Sequence, residues 1–332
     1  MKFSVLIPAY NVESFVEESI LSVINQTYSN WEMIVVNDGS IDNTLSILKD
    51  YEKKDKRIKI INQENKGLLM ARRIAIEKAT GDYICFLDSD DFWENNMLEV
   101  LVSRIKQYNP DLILFNHNVV NLKGEIYQTT KHIYNDKQGP IKNESLLSDF
   151  LMTNKLNNIW GKVVSKKLLD LDVRDYSIYG RLMQSEDRLQ SLPLIYNSTK
   201  TVYIDEAFYN YRTNPDSITH NYTMKNLKDI FMTKVANEEF LIKNNVEEDY
   251  LTRFYKHFIY YSLGAYLRLI GFEKTSKVKK KEALNILNRS EIFKRARPYL
   301  KGKNKYIYRL IKKERIFILD ILSIFNKRRI GL

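Results

Sequence analysis

The sequence predicts an α/β protein built around a mainly parallel sheet. Two observations lead to this fold class. Short apolar runs alternate with stretches of helical period over roughly the first hundred of the 332 residues, and polar groups directly follow three of the apolar runs. Such alternation is typical of repeated βαβ units, in which each helix returns the chain to the same edge of the sheet.

The elements of this region follow from their periodicity. The second helix is expected to begin near Asp42, and the third to occupy residues 68–79 before Gly81. The first helix is indicated by an apolar stripe at i, i+4, i+7 and i+8 within residues 16–24. The expected strands lie at residues 3–7, 31–36, 58–61 and 83–87.

After Trp93 the pattern is less regular, and from Met224 onward it is mostly helical. The expected elements between these points are strands at residues 112–115 and 201–204, a polar loop at 121–143 and a helix at 145–156. No internal repeat is present.

Composition and charge bound the class of protein. With 44% apolar and 28% charged residues the chain is globular rather than disordered. A single cysteine, Cys85, excludes an internal disulfide framework and fits a reducing cytoplasm. The apolar run before Pro8 is too short for a secretory signal, so we expect a cytoplasmic protein.

The net charge of +11 is distributed unevenly. Residues 1–220 carry 26 basic and 30 acidic side chains, whereas residues 274–332 carry 19 basic and 4 acidic ones. We therefore expect a near-neutral body at 1–220, with halves at 1–105 and 106–220, followed by a basic, mostly helical region at 221–332. A binding or catalytic site is therefore expected within residues 1–220.

Polar residues follow three expected strands, in the segments 8–11 (PAYN), 37–40 (NDGS) and 88–91 (DSDD). Ligands of open parallel α/β sheets bind beyond the carboxyl ends of the strands, so these segments are expected to share one site. The carboxylates of Asp88, Asp90 and Asp91 would repel one another without a cation. Oxygen ligands without a neighbouring cysteine favour Mg²⁺ or Mn²⁺. Phosphate oxygens would complete the coordination shell of such an ion.

Asp38 in the second segment suggests the nucleotide. A carboxylate accepts a hydrogen bond from the N3–H of uracil or from ribose hydroxyls, and cytosine has no N3–H. Each motif also has a purely structural interpretation: DSDD as a solvated turn or helix start, and Asp38 as a turn former beside Gly39. Because polar segments follow three strands that end at the same edge of the sheet, we favour a binding site over these structural interpretations.

The run FSVLIPAYN…VVNDGSIDNT…NKGLLMARRIAI…ATGDYICFLDSDD resembles the nucleotide-binding half of the family 2 inverting glycosyltransferases, which have the GT-A fold. The resemblance is specific over residues 3–93 and looser to about residue 219. It implies a metal-dependent inverting transfer of a hexose or N-acetylhexosamine from a UDP-sugar to a saccharide acceptor, in surface polysaccharide or glycoconjugate biosynthesis. Residues 1–220 would then be the GT-A domain, with the donor half first and the acceptor half second.

The resemblance also implies roles for individual residues. Asp90 would hold the Mn²⁺ or Mg²⁺ with Asp88, and Asp187 in the segment SED would be the catalytic base. Trp160 and Lys162, with Glu186, would lie near the acceptor. The nucleotide-sugar would be contacted by Pro8, Ala9, Tyr10, Asn11, Asp38, Arg72, Asp88, Ser89, Arg212 and Ser217.

Each transferred role has a structural alternative. Glu186 and Asp187 also suit the first turn of a helix, where acidic side chains complement the helix dipole. Trp160 is equally a packed core residue. The chain departs from the family pattern at Arg73, where Asn is usual, and at Asn214, where many members have a histidine that binds the metal. His220 is the nearby substitute, although a loop histidine is more often a bystander.

The C-terminal region is basic with interleaved aromatics, as at Lys305, Tyr306, Tyr308 and Arg309. Its apolar stretches are too short or too charged to span a bilayer. The region suits either a helix lying on the inner face of an anionic membrane, where a lipid-linked acceptor would be found, or a packing surface for another subunit.

Other classes of protein fit less well. A sugar nucleotidyltransferase needs a Gly- and Arg-rich loop after its first strand, and a haloacid dehalogenase phosphatase places D-x-D after its first strand rather than its fourth. A nucleic-acid binder leaves the three strand-end segments unexplained. The alternative to an active glycosyltransferase is a catalytically inactive sugar-nucleotide-binding or scaffold module of the same fold.

Overall fold

A computed structural model describes residues 1–130, 134, 138–213, 223–272, 276–313, 315 and 318–319, and the side chains of these except 271, 272 and 277. The chain divides into two compact units. The α/β unit comprises Met1–Leu147, Lys155–Leu182 and Gln190–Asn214. The helical unit comprises Ser148–Asn154, Met183–Leu189 and Pro215–Leu332.

The α/β unit contains the ten strands found in the described residues. They are β1 (Phe3–Ala9), β2 (Trp31–Asp38), β3 (Ile58–Gln63), β4 (Tyr83–Phe86), β5 (Phe92–Trp93), β6 (Leu112–Val120), β7 (Ile126–Thr130), β8 (Gly139–Ile141), β9 (Lys162–Ser165) and β10 (Thr201–Arg212). The α-helices along the chain are α1 (Val16–Ile24), α2 (Thr44–Lys54), α3 (Leu68–Lys78), α4 (Met97–Tyr108), α5 (Asn143–Met152), α6 (Lys166–Leu169), α7 (Glu186–Asn197), α8 (Met224–Lys243), α9 (Glu248–Phe272), α10 (Lys277–Arg289), α11 (Glu291–Ala296) and α12 (Gly302–Lys312).

The strands form one sheet in the order β3-β2-β1-β4-β9-β6-β10-β5, with β7 paired to β6 and β8 to β10. The pairs β1/β2, β2/β3, β1/β4 and β6/β10 are parallel. This confirms the predicted α/β fold class with a mainly parallel sheet over the first hundred residues. β1 and β2 are buried along their whole length, which is why they read as continuous apolar runs.

Four strands were not predicted, and the shortest of them is the two-residue β5. β9 pairs antiparallel with both β4 and β6 and so lies inside the sheet. It is only four residues long and starts with a lysine, so it gives no apolar run. β7 and β8 lie in the segment expected to be a polar loop, and β7 is exposed along most of its length. A strand paired on one side with solvated side chains does not need apolar residues, so periodicity does not reveal it.

The parallel order brings the ends of β1, β2 and β4 to one edge of the sheet. Asn11 has a positive φ of 51° and its backbone N–H donates to Ser40 Oγ at 3.0 Å, while its side-chain oxygen accepts from the Ile41 N–H at 2.9 Å. These bonds join the loop after β1 to the loop after β2. The parallel strand order thus explains why the segments 8–11, 37–40 and 88–91 lie at the same edge of the sheet.

The helical unit is packed around aromatic contacts. Phe258 of α9 meets Phe231 of α8 and Phe293 of α11 edge to face, at centroid distances of 5.5 and 6.0 Å. Glu238, 1% exposed, forms an ion pair with Arg295. In the part of the chain that the structure describes, no helix combines the length and the apolarity that a bilayer crossing requires.

A cationic cluster is buried in the same unit. Lys234 on α8 is 1% exposed, and its Nζ lies 3.4 Å from Nδ1 of His257 and 5.3 Å from the ring centroid of Tyr261. Arg188, also 1% exposed, donates to the backbone carbonyls of Phe150 and Thr153. Among the described residues no carboxylate forms a salt bridge with Lys234. Burial, and then the charge of Arg188, hold the pKa of Lys234 well below its usual value.

Replacing Lys234 with Met is expected to raise the free energy of unfolding at pH 7 by about 1–3 kcal/mol, because an uncompensated buried amine gives way to an apolar side chain of similar length. The unfolded chain binds a proton at this lysine below about pH 10.4 whereas the folded chain resists it, so the lysine makes stability rise with pH over that range. Urea denaturation of both proteins at several pH values measures how the free energy of unfolding rises with pH. This rise should be smaller in the variant. The exposed Lys243→Met on the same helix is the matched control, with an expected change within about 0.5 kcal/mol.

Candidate functional site

The turn after β4 carries the three predicted carboxylates, and each has a different environment. Asp88 has a quarter of its side chain exposed and accepts a hydrogen bond from Arg72 at 2.7 Å. Arg72, on α3, is 1% exposed. The predicted nucleotide-sugar residues Arg72 and Asp88 are therefore in direct contact, with a buried cation orienting a partly exposed carboxylate.

Asp90 is partly exposed, and no hydrogen bond or ion pair joins its carboxylate to another side chain of the described residues. Burial, and then the charge of Asp88, raise the pKa of Asp90 to about 6, partly offset by the charge of Arg212. An ionised carboxylate in such a place is stabilised by a bound cation. Asp90 therefore has the properties of a metal ligand.

Asp91 is 2% exposed and its carboxylate is held on both sides. One oxygen accepts from the Tyr209 hydroxyl at 2.6 Å and the other from the Arg212 backbone N–H at 2.7 Å. Burial, together with the charges of Asp90 and Asp88, raises the pKa of Asp91 well above its usual value. The third acid of the turn is thus part of the packing of the site.

The carboxylates were predicted to bind a divalent cation through Asp90 and Asp88. In the described parts of the chain, no group of three or more His, Cys, Asp or Glu side chains is arranged to hold a metal ion. The residues present still fit a cation, since Asp90 offers a carboxylate with no side-chain partner there, and Asp88 lies close enough for its charge to raise the pKa of Asp90. A cation at this place would take its other ligands from water or phosphate oxygens, as Mg²⁺ and Mn²⁺ commonly do.

Asp38 ends β2 and is 3% exposed. Its Oδ1 accepts from Gln63 Nε2 at 2.7 Å and from the Lys66 N–H at 2.8 Å, and its Oδ2 accepts from the Gly67 N–H at 2.7 Å. Asp38 therefore fixes the loop between β3 and α3. Its Oδ2 makes one hydrogen bond with the described residues and keeps capacity to accept another.

The predicted residues at the end of β1 differ in exposure. Pro8 and Ala9 are buried, whereas the ring of Tyr10 is 42% exposed. The guanidinium of Arg181 lies 5.9 Å from the Tyr10 ring centroid, and its Cγ would lie 2.9 Å from a Cβ added at Gly67. Gly67, at φ +88°, is thus a position where a side chain would be both strained and crowded.

Two predicted contacts are engaged elsewhere in this structure. Arg212 is 3% exposed, and its guanidinium donates to the backbone carbonyls of Asp90 and Leu122 and to the carboxylate of Glu18. A phosphate would have to displace one of these partners. Ser89 is 6% exposed, and its backbone carbonyl accepts from the Ser19 hydroxyl at 2.9 Å.

The predicted acceptor residues lie in and beside β9. The Trp160 ring is 9% exposed and stacks on Tyr209 and Tyr211 at centroid distances of 4.3 and 5.7 Å. Lys162 is 1% exposed and donates to the carbonyls of Leu156 and Asn158. Its ammonium group holds the preceding loop, so an acceptor contact would require a rearrangement.

Glu186 and Asp187 are the first two residues of α7, in the helical unit, and both are partly exposed. Ser185 before them has a positive φ of 68°, an uncommon conformation for a residue other than glycine. Ser217, Asn214 and His220 lie outside the described residues. The roles of these residues therefore stay predictions.

Sequence reasoning missed Tyr209, whose hydroxyl bonds the turn that carries the carboxylates. No motif marks it, because its partners are more than a hundred residues earlier in the chain. The structure also accounts for Arg73, the cation that stands where Asn was expected. Its guanidinium lies 4.6 Å from the ring centroid of Tyr176 and 3.9 Å from a carboxylate oxygen of Asp172. Arg73 thus belongs to a packing cluster with Asp172 and Tyr176.

Comparisons with known proteins agree with this architecture. The model of the family described as "Glycosyl transferase family 2" matches residues 4–170, half of the chain. The glycosyltransferase GlyA of Streptococcus pneumoniae is 31% identical over 231 residues, which cover 68% of this chain and 32% of GlyA. The UDP-Glc:alpha-D-GlcNAc-diphosphoundecaprenol beta-1,3-glucosyltransferase WfgD of Escherichia coli is 40% identical over 136 residues, which cover 40% of this chain and 53% of WfgD.

The alignments thus span less than two thirds of the length of either of these relatives. Among solved structures, residues 1–349 of TarS from S. aureus, in complex with UDP-GlcNAc, superpose with a TM-score of 0.72 at 21% identity. The match covers 100% of this chain and 92% of that one. At this level of identity, the likeness shows a shared fold.

Proposed function

Because the chain belongs to glycosyl transferase family 2, we propose that it transfers a hexose or N-acetylhexosamine from a UDP-sugar to a saccharide acceptor, with inversion at the anomeric carbon. The observation that carries the proposal is the turn after β4, where the Asp90 carboxylate has no side-chain partner among the described residues and Asp88 is oriented by Arg72. The UDP-GlcNAc in the TarS complex and the UDP-Glc in the name of WfgD support a UDP-linked donor.

The donor side of the mechanism uses groups of the α/β unit. Asp90, with Asp88 beside it, would hold a divalent cation, which would supply Lewis acidity to the departing diphosphate. Asp88 binds the ribose and the sugar, and its ion pair with Arg72 keeps the carboxylate in one orientation. Asp38 accepts from the uracil N3–H through Oδ2, and the exposed ring of Tyr10 covers the base.

The acceptor side needs a base. Asp187 takes the proton from the acceptor hydroxyl as that oxygen attacks the anomeric carbon in line, a step worth about 10² to 10⁴ in rate. Glu186, Trp160 and Lys162 contribute to acceptor binding. Arg212 and Ser217 contact the diphosphate, and for Arg212 this includes exchange of a present partner.

We also propose the wider setting. Residues 1–220 form the catalytic GT-A domain, and residues 221–332 form a basic region that contacts either the inner face of the membrane or another subunit. The product belongs to a surface polysaccharide or a glycoconjugate, and the acceptor is carried on a lipid. The name of WfgD, which includes a diphosphoundecaprenol acceptor, supports this last point.

A donor screen tests the proposal. Purified protein is incubated with UDP-, GDP- and CDP-sugars and Mn²⁺, with and without EDTA, and the released nucleotide is measured. We expect release from at least one UDP-sugar, loss of release on chelation and recovery with added Mn²⁺. Release from no donor, or release that ignores the chelator, would overturn the assignment.

A further inference from the structure

The hydroxyl of Tyr209 closes the turn that carries the three carboxylates. Tyr209 lies on β10 and is 0% exposed. Its oxygen accepts from the Asp88 backbone N–H at 3.1 Å and donates to Asp91 Oδ2 at 2.6 Å. One hydroxyl therefore joins the first and the last residue of the turn.

The turn is held from its other side as well. The single hydroxyl proton of Ser19 on α1 is shared between the backbone carbonyls of Ser89 and Asp91. The remaining Asp91 oxygen accepts from the Arg212 N–H at 2.7 Å. Of the three carboxylates, Asp91 is thus fixed within the protein, whereas Asp90 has no such side-chain partner among the described residues.

The position of the Tyr209 hydroxyl is itself fixed by packing. The Tyr209 ring stacks on the Trp160 ring at a centroid distance of 4.3 Å and an angle of 20°. Tyr209 is also paired through the sheet with Trp93 of β5 and with His117 of β6. A fully buried ring in this setting has little freedom to redirect its oxygen.

We propose that Tyr209 is a positioning residue that sets the places of Asp88 and Asp90 for a divalent cation and a diphosphate, with Asp91 as its anchor and not as a metal ligand. The inference rests on the proposed function, because it assumes that the turn binds a metal-diphosphate. Partners that orient metal ligands typically contribute about 10- to 100-fold to metal affinity.

The test compares two tyrosines of the same strand. Tyr209→Phe keeps the ring and removes the bridging oxygen. Tyr203→Phe is the matched control, since Tyr203 is also 0% exposed and its hydroxyl proton is shared between Asn116 Oδ1 at 2.9 Å and Asp205 Oδ1 at 2.8 Å, away from the turn. Mn²⁺ binding in the presence of UDP is measured by electron paramagnetic resonance, and folding by thermal melting.

We expect the apparent Kd for Mn²⁺ to rise about tenfold in Tyr209→Phe and to stay within about twofold in Tyr203→Phe. Both variants lose a buried hydroxyl, so similar melting temperatures are expected for the two. Equal Mn²⁺ affinities in the two variants would overturn the positioning role.

Asp91→Asn supplies the second measurement. The amide keeps only one of the two oxygens that accept from the Tyr209 hydroxyl and the Arg212 N–H, so Mn²⁺ affinity should fall by about tenfold at most, as in Tyr209→Phe, whereas Asp90→Asn should lose it. If Asp91→Asn weakens Mn²⁺ binding as much as Asp90→Asn does, Asp91 is a ligand and the inference is wrong. A wild-type protein that binds neither Mn²⁺ nor UDP would instead contradict the proposed function, and the inference with it.

Discussion

Replacing Asp187 with Asn is expected to lower turnover by about 10² to 10⁴, the usual contribution of a general base. The amide keeps the shape of the side chain and cannot take a proton from the acceptor hydroxyl. Donor binding should be nearly unchanged, because Asp187 is proposed to act on the acceptor. Single-turnover sugar transfer, with UDP binding measured by calorimetry, separates the two effects.

Asp249→Asn is the matched control for this variant. Asp249 also lies in the first turn of a helix, at the start of α9, and 63% of its side chain is exposed. Both substitutions remove one negative charge near a helix N-terminus, so their effects on stability should be similar. Equal turnover in the two variants would exclude Asp187 as the base and favour a different base, whereas UDP binding without turnover in the wild type would favour the inactive, sugar-nucleotide-binding alternative.

Asp90→Asn is expected to abolish Mn²⁺ binding at the turn after β4 and to lower nucleotide release by about 10² to 10³, the size of one lost electrostatic group at a developing anion. The metal-free variant should melt at the same temperature as the wild type or higher. Burial and the charge of Asp88 raise the pKa of Asp90 to about 6, so the ionised carboxylate at pH 7 opposes folding and its removal relieves that cost.

Asp50→Asn, on the exposed face of α2, controls for the loss of one charge, since 59% of that side chain is exposed. Melting curves with and without EDTA, and Mn²⁺ titration with UDP, give the comparison. A lower melting temperature for metal-free Asp90→Asn, with Mn²⁺ binding preserved, would mean that Asp90 has a structural role.

Sequence reasoning succeeded where a pattern is local. β1, β2 and β4 are short, buried and apolar, so their positions and the convergence of their ends were predicted from periodicity alone. β9 was not, because the strand begins with Lys162 and its burial depends on β4 and β6 on either side. A four-residue strand of mixed composition carries no period to detect.

The same distinction holds within the site. The motif named Asp88 and Asp90 as candidates, whereas the hydrogen bond from Arg72 to Asp88 is seen only in the structure. The motif alone could not show that the three acids of the turn have different environments, since Asp91 is held in place by Tyr209 and by the backbone of Arg212. Such partners are set by the tertiary fold, and a single sequence does not report contacts across 118 residues.

The separation between Tyr209 and the turn after β4 also bears on how the protein forms. The Asp88 N–H and the Tyr209 oxygen are 121 residues apart in the chain, so their hydrogen bond is among the slow, nonlocal steps of folding. During synthesis, which proceeds from the N-terminus, β1 to β4 can pair well before β10 has left the ribosome. A nascent chain should therefore pair β1 to β4 early and fix the turn after β4 late, once β10 supplies the Tyr209 hydroxyl.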